Sequence, residues 1–143
     1  VTSPAPILLP DDEALVCGWL GGRGELSGVI VADRLPDDYD GSQLVVTVNR
    51  IGGGMDRGAG GTWLDRPRLD IDCHGKDKAA AKDLARTVRA LLPVARFDDH
   101  SAAGAVWSDT TEDVGPQWLP DPDYPEAGRY LLQVSVSIHP LIG

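Results

Sequence analysis

Apolar residues recur along this chain with two different periods, and the change of period marks its elements. Within Asp65–Pro93, Leu69, Ile71 and Cys73 alternate with Arg68, Asp70, Asp72 and His74. That two-residue period predicts a strand with one dry and one wet face. Gly75 breaks the strand, and Asp77 stands where a helix needs an N-cap. Ala80, Leu84, Val88, Leu91 and Leu92 then recur at helical spacing, with Lys78, Lys82, Arg86 and Arg89 on the opposite side. Pro93 ends the helix.

The same reading extends in both directions. Val1–Leu9 is Pro-rich and predicts an extended arm. A short helix starts at Pro10–Glu13, with acids in its first turn, runs through Ala14–Leu20 and stops at Gly21-Gly22. Val29–Ala32 and Leu44–Ile51 predict strands on either side of an acidic turn, Leu35–Gly41. Ala105–Val114 and Arg129–His139 predict two more. In the last, Tyr130, Leu132, Val134, Val136 and Ile138 face one way, and Leu131, Gln133, Ser135, Ser137 and His139 the other.

The order is α-β-β-β-α-β-β, in a single domain over residues 1–143 whose first nine form the arm. It predicts an α+β fold, a mostly antiparallel sheet of about five strands with two helices on one face. The other face is polar with small side chains, and meets water or another subunit.

Two segments predict irregular structure. Gly52–Trp63 has six glycines among its first ten residues, and glycine has the most conformational freedom to lose on ordering. The expectation is a flexible hairpin that orders against a neighbour. It fits neither GxxxxGK[ST] nor GxGxxG before a helix, so it does not predict a phosphate cradle. Gly115–Gly128 holds four prolines and three acids with Trp118 and Tyr124. It predicts a loop that packs through those aromatics, on its own domain or on a partner.

The net charge of −9, from 22 acids against 13 bases, disfavours general nucleic-acid binding, which needs surplus cations to neutralise phosphates. The layout says more. No Lys or Arg lies between Arg96 and Arg129, but eight acids do. A basic helix stripe (Lys78, Lys82, Arg86, Arg89) and an acidic flank (Asp109, Glu112, Asp113) suit a head-to-tail contact between identical copies. The alternative is a solvated helix face and an acidic surface loop.

Candidate chemistry is sparse. Asp70, Asp72 and His74 share one strand face at spacings of about 7 Å, a set that suits a divalent metal or an acid–base pair. The alternative is an exposed strand face. His100 and His139 have no zinc-type spacing, and no serine stands in a GxSxG context. Cys17 and Cys73 are no disulfide framework and read as small buried hydrophobes in a reducing compartment. The sequence has no apolar run of membrane-spanning length and no signal-peptide pattern at its N-terminus, which predicts a cytosolic protein or one assembled in a cytosol. No catalytic residue, metal or cofactor is expected.

Three stretches carry a resemblance: VTVNRIGGG at Val46–Gly54, DRPRLDIDCHGKDKAAAKDLARTVRALLP at Asp65–Pro93, and GPQWLPDPDYPEAGRYLLQVSVSIHP at Gly115–Pro140. With the opening PDDEALVCGWL helix, they resemble the tail terminator proteins of long-tailed, siphovirus-type bacteriophages of actinobacteria. The resemblance spans nearly the whole chain and has no catalytic motif. It implies a virion structural protein at the head-proximal end of the tail, assembled in the host cytoplasm. That protein is a homo-hexameric ring that caps the tail tube, stops its polymerisation and offers the head-attachment surface.

The implied partners are other copies of the chain, the major tail tube protein and a head–tail connector or head-closure protein. DNA passes through the lumen without specific binding, and no membrane is involved. Gly53, Met55, Arg57, Trp63, Trp118, Asp121 and Tyr124 are then candidates for tube or connector contact, and Asp70, Asp72, Gln133, Ser135 and Ser137 for the lumen. A head-closure or tail-completion connector is the nearest alternative. A small cytosolic metal-dependent enzyme or binding module on Asp70, Asp72 and His74 is the alternative from another class.

Overall fold

The computed structural model describes residues 3, 5–57 and 63–141. Residues 1, 2 and 4 of the expected arm and 58–62 of the expected Gly-rich loop lie outside them. The order is α1 (Asp12–Gly21), β1 (Ile30–Ala32), β2 (Val45–Arg57), β3 (Trp63–Gly75), α2 (Lys78–Leu91), β4 (Ala105–Pro120) and β5 (Gly128–Pro140), with short 3₁₀ turns at Gly24–Leu26, Leu92–Phe97 and Ser101–Ala103. The fold is α+β, as the sequence predicts. One five-stranded sheet runs β1-β2-β3-β5-β4. It is antiparallel except at β1, which pairs parallel with β2.

Both helices start at the residues the sequence marks. Asp11 caps α1 by accepting from the Ala14 N–H at 3.0 Å, and Asp77 caps α2 by accepting from the Ala80 N–H at 2.8 Å. Each bond satisfies one of the free donors of a first helical turn. Leu15, Val16 and Leu20 of α1, and Ala81, Leu84, Ala85, Val88 and Leu91 of α2, are buried. They meet Val46 and Val48 of β2, Leu69, Ile71 and Cys73 of β3 and the even-numbered apolar residues of β5 in one core. Cys73 is fully buried, whereas Cys17 is only half-buried.

Strand extends into both segments expected to be irregular. Gly52–Arg57 completes β2 in register with Arg68–Trp63, after a bulge between Arg50 and Gly52. Gly53 takes φ +87°, and a Cβ there would drive into the Arg66 carbonyl oxygen, so the hairpin needs glycine at that position. Gly115–Pro120 likewise belongs to β4, reached through further bulges between Glu112 and Gln117. Proline is tolerated there because β4 is an edge strand, and Pro116 falls in the bulge. Only Asp121–Ala127 turns back, closed by the Asp121 N–H donating to the Ala127 carbonyl at 3.0 Å.

Candidate functional site

The polar sheet face brings together the residues expected on it. Asp70, Asp72 and His74 of β3 lie beside Gln133, Leu131 and Arg129 of β5 respectively, and beside Asn49, Thr47 and Val45 of β2. Ser135 and Ser137 continue the row along β5. The face is not simply acidic. Arg68 donates to Gln133 Oε1 at 2.9 Å and stands 3.7 Å from Asp113, which also accepts from the Ser135 hydroxyl. Arg129 Nε is 3.4 Å from Asp72 Oδ2. That contact is a charge pairing without hydrogen-bond alignment, and Arg129 Nε has no acceptor.

One end of this face is covered, which the sequence reading of an open face does not anticipate. The chain after β1 folds back so that the Tyr39 ring meets the His74 ring edge-on at 5.8 Å. Tyr124 meets Tyr39 at 6.0 Å, and its ring lies against Gly41, where φ is +88° and a Cβ would come within 2.8 Å of Tyr124 Cγ. Tyr124 therefore packs on its own domain. His74 is buried beneath this layer, 3.5 Å from Thr47 Oγ1, and is no exposed ligand. Among the described residues, no three His, Cys, Asp or Glu side chains are grouped to hold a metal ion.

Burial sets the ionisation of this end. It pushes the Asp72 carboxyl up to about 7, with the neighbouring Asp70 charge adding to the rise, and burial also raises Asp70. His74 is pushed down to about 4, by burial first and then by the Arg129 charge. A raised acid stabilises the fold at low pH and loses that contribution as pH rises from about 3.8 through 7. A depressed histidine stabilises it above 6.5 and loses that contribution as pH falls to about 4.

The two slopes oppose each other in one pH window. Asp72→Asn is therefore expected to make the slope of stability against pH more positive between pH 4 and 6.5, with Asp70 still opposing His74. His74→Gln leaves a stability that falls between pH 4 and 7. Each slope is bounded by about 1.4 kcal/mol per pH unit for one proton, and urea midpoints across that range read both. A slope unchanged by either substitution would contradict the assignment.

The candidate contact loops sit at opposite ends of the sheet. Met55, Arg57 and Trp63 lie toward the tip of the β2–β3 hairpin, where Met55 is exposed and the Arg57 guanidinium lies over the Trp63 ring at 5.4 Å. Gly53 lies lower in the hairpin. Asp121 and Tyr124 lie in the β4–β5 turn, beside the far end of β3. The 13 residues of β3 span the distance between the two ends, about 40 Å at strand rise. Trp118 is not free for a partner. It packs on Tyr130 at 5.3 Å beneath Lys78, with the Gly128 backbone against its ring.

The basic stripe of α2 is exposed as predicted, but its last member is engaged within the chain. Arg89 grips Glu112 with two parallel bonds, Nε–Oε1 at 2.7 Å and Nη2–Oε2 at 2.8 Å, the strong geometry for this pair. Asp113 is held by Arg68 and Ser135, and Asp109 accepts from the Thr110 N–H. Lys78, Lys82 and Arg86 are the stripe residues outside any ion pair among the described residues, and Lys78 lies over the Trp118 ring.

Sequence reasoning missed the ionic joint between α1 and the hairpin. Arg50 donates to both oxygens of Asp65, at 2.9 and 3.1 Å, and to Asp12 Oδ2 at 3.2 Å. Its own N–H donates to Glu13. The available signal is parity, since Arg50 and Asp65 occupy core-facing positions of their strands.

No helix among the described residues is long and apolar enough to cross a membrane. No protein-family model matches the chain, and no curated protein matches it.

Proposed function

We propose that the protein is a phage virion structural protein, a tail terminator whose copies close into a hexameric ring on the tail tube. The ring stops tube growth and presents the surface to which the head joins. The observation that carries this reading is the placement of Met55, Arg57 and Trp63 at one end of the sheet and of the Asp121–Ala127 turn at the other, about 40 Å apart. A ring built from such a subunit presents one set of loops to the tube and the other to the connector. The polar row of Asp70, Asp72, Gln133, Ser135 and Ser137 suits a channel wall past which DNA slides, because its cations are occupied by carboxylates and gain little from phosphate contact. A head-closure connector remains the second reading, since its subunit has the same two-sided requirement.

Charge reversal tests the contact between copies. Lys82→Glu with Arg86→Glu leaves the Arg89–Glu112 pair intact, and is expected to give a folded chain whose assembly weakens at least tenfold, or about 1.4 kcal/mol. Sedimentation of the double variant reads the result. Unchanged assembly would remove the helix stripe from the interface.

A further inference from the structure

The chain before α1 carries an unused hydrogen-bonding edge. Among the described residues, no backbone group of Ala5–Pro10 is hydrogen-bonded, and Ile7 and Leu8 are exposed, Leu8 to 93%. In an extended chain, alternate residues present their N–H and carbonyl groups to opposite sides. Pro6 and Pro10 place their missing donors on the side of Leu8. Ala5, Ile7 and Leu9 keep theirs on the other. Such a segment pairs along one side only, which makes it a strand that can be added to a sheet edge and then ends the sheet.

A matching edge exists at β4. Among the described residues its only strand partner is β5, and Asp109–Glu112 pair regularly with Ser137–Val134 between two bulges. Beside this stretch lies a cavity of about 150 Å³ whose walls include Leu92, Pro93, Thr110, Leu132 and Val134. It has room for an aliphatic side chain on the helix side of the sheet.

A subunit cannot reach its own β4 edge. Asp12 is tied to Arg50 on β2, and Leu9 lies three residue steps before it, a reach of about 11 Å. The outer side of β4 is four strand spacings from β2, about 19 Å. The near edge of its own β2 is a poor host, because Glu13 already holds the Arg50 N–H and the ladder is broken by the bulge at Gly52. In a head-to-tail neighbour the level is right. Arg50 pairs with Leu69, Leu69 with Val134, and Val134 with Glu112, so the arm leaves its subunit at the height of Asp109–Glu112.

We infer that Ala5–Leu9 of one copy adds as a strand to the β4 edge of the next, with Ile7 and Leu9 donating their N–H groups and their side chains turned to the cavity under the Arg89–Glu112 pair. This rests on the proposed ring and names one of its joints. Main-chain bonds supply the pairing, and the cavity sets the register.

Proline scanning and amide hydrogen exchange on the whole chain test it, above and below the assembly concentration and on tail tubes. Ile7→Pro or Leu9→Pro is expected to raise the assembly concentration at least about tenfold, and Leu8→Pro to change it less than about threefold. The Ile7 and Leu9 amides become protected on assembly and lose protection on dilution. A ring in which these amides exchange freely, or protection that persists in the monomer, would overturn arm exchange and leave the ring standing. A chain that assembles neither alone nor on tubes would overturn both.

Discussion

Asp65→Ala is expected to lower unfolding stability by about 3 kcal/mol, the lower end of the range for breaking a buried ion pair. Asp65 is 4% exposed, and it holds both arms of the Arg50 guanidinium. Its loss leaves the Arg50 guanidinium with the Asp12 carboxylate and the Gly52 carbonyl, between α1 and the hairpin. Because a third of the Arg50 side chain still reaches water, the upper end of the range is not expected. Replacing both partners, as Arg50→Met with Asp65→Leu, removes the stranded charge and is expected to recover most of the loss. Urea denaturation of the three variants measures both effects. A double variant as unstable as Asp65→Ala would show that the pair contributes more than its own desolvation costs.

Trp107→Ala is expected to cost about 3–5 kcal/mol, the usual range for emptying a large aromatic site. Trp107 is the largest fully buried side chain. It meets Trp19 of α1 edge-on at 5.5 Å and lies 5.5 Å from the His100 ring, and its indole N–H donates to the Thr110 hydroxyl at 2.8 Å. This contact joins α1 to β4 across the core. Trp107→Phe keeps most of the buried area and loses the hydrogen bond, so a cost of about 1–2 kcal/mol is expected. Denaturant midpoints separate the two. A loss below about 1 kcal/mol for the alanine variant would mean the site collapses around the gap.

The legible parts of the fold are those in which side chains carry a period. The β3–α2 unit reads directly from its alternation, its cap at Asp77 and its helical stripe. The strand through Gly52–Arg57 has no such signal, because a glycine run has no side chains to alternate. It is strand because its backbone pairs with Arg68–Trp63, a cause that lies in the partner segment. Pro116 and Pro120 hid the end of β4 for a related reason. Proline argues against a central strand, and whether a strand is central is set by the tertiary fold.

The candidate surfaces are legible to different degrees. Parity alone places Asp70, Asp72, Gln133, Ser135 and Ser137 on one face. It does not reveal that Tyr39 closes one end of that face over His74, since the covering residue is thirty-five positions away in an acidic turn. Nor does charge patterning show that Arg89 and Glu112 meet within one subunit. Their pairing depends on how β4 curves past the end of α2, and that curvature comes from bulges with no residue signature of their own.

The proposed terminator is a ring of identical chains that caps a tube. The mass in solution by light scattering, with and without purified tail tubes, tests it most directly. The expected mass is six times the chain mass of 15.2 kDa, or that of a monomer that is taken up at tube ends and halts their growth. A monomer that leaves tubes free to lengthen would contradict it.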